Sequence, residues 1–156
     1  MCEEEFAQRV QMIRDKLYKT AMLYLGSHSQ AVDVLDEAIY KGICSCRRLR
    51  KHEYFDTWIT RIVINECYNE MRRQKRLTYL EELPELPAEE LDTLDLREAI
   101  LRLPKDLRDV VVLRFFTGLT VMETADVLKI PQGTAATRIR RALKLLRLEL
   151  NEEVTP

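Results

Sequence analysis

From Lys129 to Leu148 the chain carries six Lys or Arg and no Asp or Glu, although the whole 156-residue sequence balances to a net charge of −1. Just before most of these cations stands Ile130-Pro131-Gln132-Gly133-Thr134, a turn-like stretch preceded by a helix pattern from Thr120 to Lys129. Residues of these types bind polyanions. Arg and Lys neutralise phosphates, while side chains at the start of a helix reach base edges. Helix, tight turn and basic second helix is the sequence form of a DNA-reading helix-turn-helix. At about 100° per residue, Ala135, Ile139, Ala142, Leu143, Leu146 and Leu150 make one core face. Thr137, Arg141 and Lys144 centre the opposite side, with Thr134, Arg138 and Arg140 at its flanks. Leu145 and Leu148 fall on that exposed side too. The N–H groups of Gln132, Gly133 and Thr134 open the helix and suit a phosphate.

Two earlier segments carry other chemistry. The pattern from Ser29 to Cys46 buries Ala31, Val32, Leu35, Ile39 and Cys46. It exposes Asp33 and Glu37 with Tyr40 between them and Asp36 at the edge, an acidic face suited to a basic protein partner. The pattern from Phe55 to Arg76 places Phe55, Trp58 and Tyr68 ahead of Arg72-Arg73-Gln74-Lys75-Arg76. Cations beside aromatics suit unstacked bases, and equally a core tryptophan on a helix with a basic C-terminus.

The elements that position these residues are helices. Strand-like alternation is nearly absent, which predicts an all-α fold. Residues 1–76 carry 14 basic and 11 acidic residues, residues 77–92 six acidic and none basic, and residues 93–156 carry 11 and 9. With Pro84 and Pro87 the middle stretch reads as an acidic linker between two small helical domains. The first domain reads as helices over Glu5–Leu25 (Phe6, Val10, Ile13, Leu17 and Ala21 inward), from Ser27 or Ser29 to Cys46, and Phe55–Lys75. The second is a four-helix, winged-helix-like helix-turn-helix domain: Asp95–Leu103, Lys105–Thr117, then the two helices above.

No apolar run approaches the roughly 20 residues of a membrane span. The acidic start Met1-Cys2-Glu3-Glu4-Glu5 is unlike a signal peptide, so the expected location is cytoplasmic. Cys2, Cys44, Cys46 and Cys67 then read as reduced, mostly packed thiols, and no metal spacing is present. Gly-rich phosphate loop, nucleophile elbow and HExxH are all missing. The expectation is a protein that is not an enzyme, with no cofactor, no metal and no small-molecule substrate.

Across nearly its whole length the chain resembles the extracytoplasmic-function (ECF, group IV) sigma factors of the sigma-70 family. In the second half this rests on Leu96-Arg97-Glu98-Ala99-Ile100, Leu103-Pro104, Val112-Leu113-Arg114-Phe115-Phe116, Gly118-Leu119-Thr120, Gly133-Thr134 through Arg138, and Arg141-Ala142-Leu143. In the first half it rests on Tyr24-Leu25-Gly26, Ala31 with Asp33, Glu37, Trp58 with Arg61-Ile62, Asn65 and Arg72-Arg73.

The resemblance implies a factor that binds core RNA polymerase and directs promoter-specific initiation, in a stress response. It implies sigma region 2 in residues 1–76, with Asp33, Asp36, Glu37 and Tyr40 against the β′ clamp. Arg50, Lys51, Phe55, Trp58, Arg61, Asn65, Arg72, Arg73 and Lys75 would then serve the −10 element. It implies sigma region 4 in residues 93–156, with Gln132, Gly133, Thr134, Ala136, Thr137, Arg138, Arg140, Arg141 and Lys144 at the −35 element and docking on the β flap. The linker 77–92 would thread a basic channel. The other implied partners are promoter DNA and a membrane-linked anti-sigma factor, which, like the flap, could cover Leu145 and Leu148. Glu66, on a mainly apolar face, requires a partner or an exposed edge there. The residues alone leave open a stand-alone helix-turn-helix regulator that binds duplex DNA without polymerase. A helical enzyme acting on nucleic acid would need an acid/base or metal cluster.

Overall fold

The computed structural model describes the backbone of residues 1–80 and 91–154, and side chains over 1–77 and 96–147. Seven α-helices and no strand occur among these residues: α1 Glu3–Leu25, α2 His28–Ser45, α3 Phe55–Leu80, α4 Leu91–Arg102, α5 Lys105–Val111, α6 Val121–Leu128 and α7 Gln132–Val154. They form two compact units, Met1–Glu81 and Glu82–Pro156. α3 runs on through Leu80 and α4 begins at Leu91, so both ends of the expected linker 77–92 are helical; residues 81–90 lie outside the described residues.

In the first unit, α1 opens on Glu3, Glu4 and Glu5, whose charges suit a helix N-terminus. It closes on Gly26 in the left-handed conformation, φ 68°, whose N–H donates to the Met22 carbonyl at 2.8 Å. Ser27, not Ser29, caps α2 by accepting from the Gln30 N–H. Phe6, Leu17 and Tyr24 of α1 are buried with Leu35 of α2 and Phe55, Ile59 and Val63 of α3. Ile13 is only half-buried.

α2 packs on both α1 and α3. Its buried arc is therefore Ala31, Val34, Leu35, Ala38 and Gly42, with Cys46 just beyond. The expected stripe is corrected at two places: Val32 and Ile39 lie half-buried at its rim. Gly42 is required by close approach, since a Cβ there would stand 2.8 Å from Phe6 Cζ and 2.9 Å from Ile59 Cδ1. Two short 3₁₀ turns, Cys46–Arg48 and His52–Tyr54, bracket the loop into α3.

In the second unit, Pro104 starts α5 and Arg108 reaches back to the carbonyls of Leu101 (2.9 Å) and Leu103 (3.1 Å), satisfying acceptors at the end of α4. α5 continues as a π turn over Val112–Phe116, which the sequence pattern does not announce. This extra residue per turn buries Val112 and Leu113 and leaves Phe115 exposed. Gly118, at φ 80°, reverses the chain. Thr120 and Glu123 then form a capping box at α6, with N–H to side-chain distances of 3.1 and 3.0 Å.

Candidate nucleic-acid interface

The turn between α6 and α7 is set by Lys129, left-handed at φ 57°, ψ 46°, a conformation that costs a non-glycine residue roughly 1 kcal/mol. The Ile130 N–H then returns to the Ala125 carbonyl at 3.0 Å, and Pro131 leads into α7 at Gln132. Ala125 and Ala135 are buried where the two helices meet. Ala135, Ile139, Ala142 and Leu146 form the inner face of α7. Leu143 does not belong to it: at 40% exposure it lies outside the arc that the short partners α5 and α6 cover, which corrects the expected core. The side chains of Leu148 and Leu150 lie outside the described residues, while Leu145 is exposed.

The opposite side of α7 presents Gln132, Gly133, Thr137, Arg140, Arg141 and Lys144 to solvent, with Thr134, Ala136 and Arg138 half-buried at its edges. Thr137 donates its hydroxyl to the Gly133 carbonyl at 2.9 Å, and Arg138 stands 4.0 Å from Asp106. Nothing lies within 4 Å of a Cβ placed on Gly133, so the backbone in the first turn of α7 is open to a close ligand.

On the first unit, Asp33, Asp36, Glu37 and Tyr40 are all exposed on α2. Asp36 lies 4.0 Å from Arg14, and Glu37 3.9 Å from Lys41. Lys41 also bridges to Glu66 of α3, which gives that carboxylate a partner, and this bond raises the Lys41 pKa. Glu66 and Glu70, i and i+4 on α3, join Asp33 and Glu37 around an open depression that the sequence reading missed. Their spacing was the available signal.

The residues expected at the −10 element divide. Trp58, Arg61, Asn65 and Arg72 fall on one side of α3 at about 100° per residue. Asn65 and Arg72 are exposed, and Arg72 is hydrogen-bonded to Asn69. Trp58 and Arg61 are half-buried, the indole edge-on to Phe6 at 6.2 Å. Phe55 is corrected to a core residue: it is fully buried, T-shaped against Phe6 at 5.6 Å, and has no face to offer a base. Arg73 is also displaced from the expected set. It forks onto Glu70 at 2.9 and 3.0 Å, facing the acidic depression, where Asp33 also favours its charge. The same pairing holds the Glu70 carboxyl below its usual range. Arg50 and Lys51 are exposed in the loop before α3, with the Lys51 ammonium 5.7 Å from the Tyr54 ring; Lys75 is exposed near the far end of α3.

A helical unit with an acidic outer face, followed by a helix-turn-helix with a basic one, defines a DNA-reading protein built to meet a second macromolecule. The family model for sigma-70 region 2 matches residues 10–77, and that for sigma-70 region 4 matches residues 93–146. The chain is 28% identical over 145 residues to RNA polymerase sigma factor SigV of Bacillus subtilis, covering 90% of this chain and 87% of that one. It is also 28% identical over 170 residues to ECF RNA polymerase sigma factor SigW of Bacillus subtilis, covering 96% and 91%. In fold it matches the sigma factor RpoE of Bartonella quintana, solved with the anti-sigma factor NepR, at a TM-score of 0.76, 21% identity and coverage of 95% and 98%. It also matches CnrH, solved with the cytosolic domain of CnrY, at 0.73, 21% identity and coverage of 94% and 88%. The chain belongs to the sigma-70 family as an ECF sigma factor, a class that binds core RNA polymerase and directs promoter-specific initiation.

Proposed function

We propose that the two units divide this work by the polarity of their outer faces. The acidic side of α2 (Asp33, Asp36, Glu37 and Tyr40) docks on the β′ clamp of core polymerase, with Glu66 and Glu70 extending the contact. The loop carrying Arg50 and Lys51, with Trp58, Arg61, Asn65 and Arg72 of α3, captures the melted −10 strand. Lys75 holds backbone. α7 enters the major groove at the −35 element. Thr137 and Arg140 stand near base edges, Arg141 and Lys144 lie on phosphates, and the N–H groups of Gln132, Gly133 and Thr134 cradle another. Residues 1–76 then serve as region 2, 77–92 as the connection and 93–156 as region 4, which also docks on the β flap.

One observation carries this reading. Two exposed helix faces of opposite charge, α2 acidic and α7 basic, sit on separate units of a nearly neutral chain. The site of action is the cytoplasm, where chromosome and polymerase are. Because the RpoE structure holds an anti-sigma factor and the CnrH structure the cytosolic domain of CnrY, we extend the reading to a membrane-linked anti-sigma factor that releases this protein under stress. Leu143 and Leu145 are exposed apolar residues suited to such a partner or to the flap. The test is run-off transcription with purified core on genomic fragments. Discrete transcripts that need the added protein, and are lost in the Asp33→Lys/Glu37→Lys double variant, are the expected result. Tight binding to duplex DNA with no effect on polymerase would overturn it.

A further inference from the structure

The loop of residues 49–54 is held from outside by α1. The Arg9 guanidinium donates through Nη1 to the His52 carbonyl at 2.6 Å, and its Nη2 lies 3.0 Å from Glu5 Oε1. The same Glu5 oxygen lies 2.9 Å from His52 Nδ1. A carboxylate only accepts, so Nδ1 carries the hydrogen. Three residues thus close a ring that grips His52 by its backbone and its imidazole together. Two residues earlier on α1, Glu3 stands 3.7 Å from Arg47, at the start of the same crossing. Inside the loop, the Leu49 N–H returns to the Cys46 carbonyl and the Tyr54 N–H to the Lys51 carbonyl, both at 3.1 Å. Arg50, Lys51 and Tyr54 are exposed beside the clamped residue.

We propose that Glu5 and Arg9 are positioning residues for strand capture: they fix the His52 peptide so that Arg50, Lys51 and Tyr54 are presented to the melted strand in one arrangement. The inference rests on the reading of this loop as strand-capturing. Fixing a loop before its ligand arrives reduces the entropy lost on binding, so affinity follows the clamp although no clamp atom touches DNA. Three other roles are less consistent with the contacts. A clamp that served only the core would be apolar and need no grip on a loop carbonyl. Arg9 does cross the Phe55 ring at 5.9 Å, but its two nitrogens are committed to Glu5 and His52. The contacts of Glu5 and Arg9 also run to His52 and Phe55, whereas it is Arg14 of α1 that meets Asp36 on the acidic face assigned to polymerase.

The probe is a fluorescein-labelled single-stranded DNA of the non-template −10 segment, taken from a promoter found by run-off transcription. It is titrated with polymerase holoenzyme assembled on the full chain. Arg9→Met keeps an unbranched apolar chain at this position and removes the donors. It is expected to weaken the oligonucleotide roughly tenfold, the scale of one lost charge-assisted hydrogen bond. Arg9→Lys restores part of the affinity, and Glu5→Gln, which keeps the shape and loses the ion pair, falls between. Core affinity and −35 duplex affinity stay at parental values, while amide exchange rises at residues 50–54 only. Should Arg9→Met unfold the protein, Glu5→Gln carries the same comparison from a half-buried position with the side-chain shape kept. Parental affinity in Arg9→Met and Glu5→Gln, alongside weakened binding in Arg50→Ala and Lys51→Ala, overturns the clamp and leaves the capture reading standing. Parental affinity in all four variants removes the capture reading, and the clamp falls with it.

Discussion

Gly42 of α2 and Phe6 of α1 meet with no room for a side chain at position 42: a Cβ would stand 2.8 Å from the ring Cζ, and 2.9 Å from Ile59 Cδ1 behind it. Phe6 cannot turn aside, because Phe55 and Trp58 pack on its ring at 5.6 and 6.2 Å. Gly42→Ala should destabilise the first unit by about 1–2 kcal/mol, overpacking outweighing the gain in helix propensity. Denaturant unfolding followed by circular dichroism measures it, and a stabilised variant would contradict the packing.

Reversing Asp33 and Glu37 to Lys should weaken core polymerase binding by roughly 3 kcal/mol, since like charges then meet at the docked face. The fold should persist, because Lys41 keeps Glu66 when Glu37 is lost. Competition with the parental protein for a limited amount of core reads the effect directly.

Arg141 is exposed on the outer side of α7 and assigned to a phosphate. Arg141→Ala should weaken all promoters alike and reduce the slope of log K against log salt by about 0.9, the value for one phosphate contact on duplex DNA. Thr137 or Arg140 substitutions should change which −35 sequence is preferred. A changed preference with unchanged slope in Arg141→Ala would exchange these roles.

Gly133 offers a sharper separation of folding from binding. Inside the protein a Cβ at this position meets nothing within 4 Å, so Gly133→Ala should stabilise α7 by up to about 1 kcal/mol. If DNA backbone approaches this turn, the same methyl group should lower −35 affinity. A variant with a higher melting temperature and parental affinity would remove Gly133 from the interface.

The four thiols should divide by burial. Cys2 and Cys44 are exposed, while Cys46 and Cys67 are buried. Burial, with the Glu66 charge adding to it, pushes the Cys67 thiol up to about 12. Iodoacetamide at neutral pH should therefore label Cys2 and Cys44 and spare the other two until the protein unfolds. The unfolded thiol loses its proton near pH 9 and the folded one near 12. The Cys67 contribution to stability is thus complete below about pH 9 and is lost as pH rises toward 12, relative to Cys67→Ala.

Sequence periodicity located the helices well and their faces less well, for identifiable reasons. The basic side of α7 was legible because charge and apolar spacing agree there. Leu143 was misplaced because angular position alone does not say how wide an arc the short helices α5 and α6 can cover. On α2, contact with both α1 and α3 widens the buried arc to Val34, Ala38 and Gly42, which a single stripe underestimates. Phe55 shows a different limit. An aromatic near cations fits a stacked base and a core ring equally, and only the three-dimensional neighbours Phe6 and Trp58 decide. The π turn at Val112–Phe116 leaves no periodic trace, since it shifts the register within a run that is apolar but for Arg114.

The fork between Arg73 and Glu70 has a consequence for ionic atmosphere. From Arg72 to Arg76 the sequence spells four cations, yet Arg73 already carries its counterion as a covalent part of the same helix. A single strand arriving at this end of α3 finds three valences to exchange for its condensed sodium or potassium, not four. The salt sensitivity of strand capture should be shallower, by about 0.7 on the log–log scale, than a count of basic residues suggests. Removing the internal counterion with Glu70→Gln should restore the missing valence, making this protein's grip on melted DNA steeper in salt without adding a single positive charge.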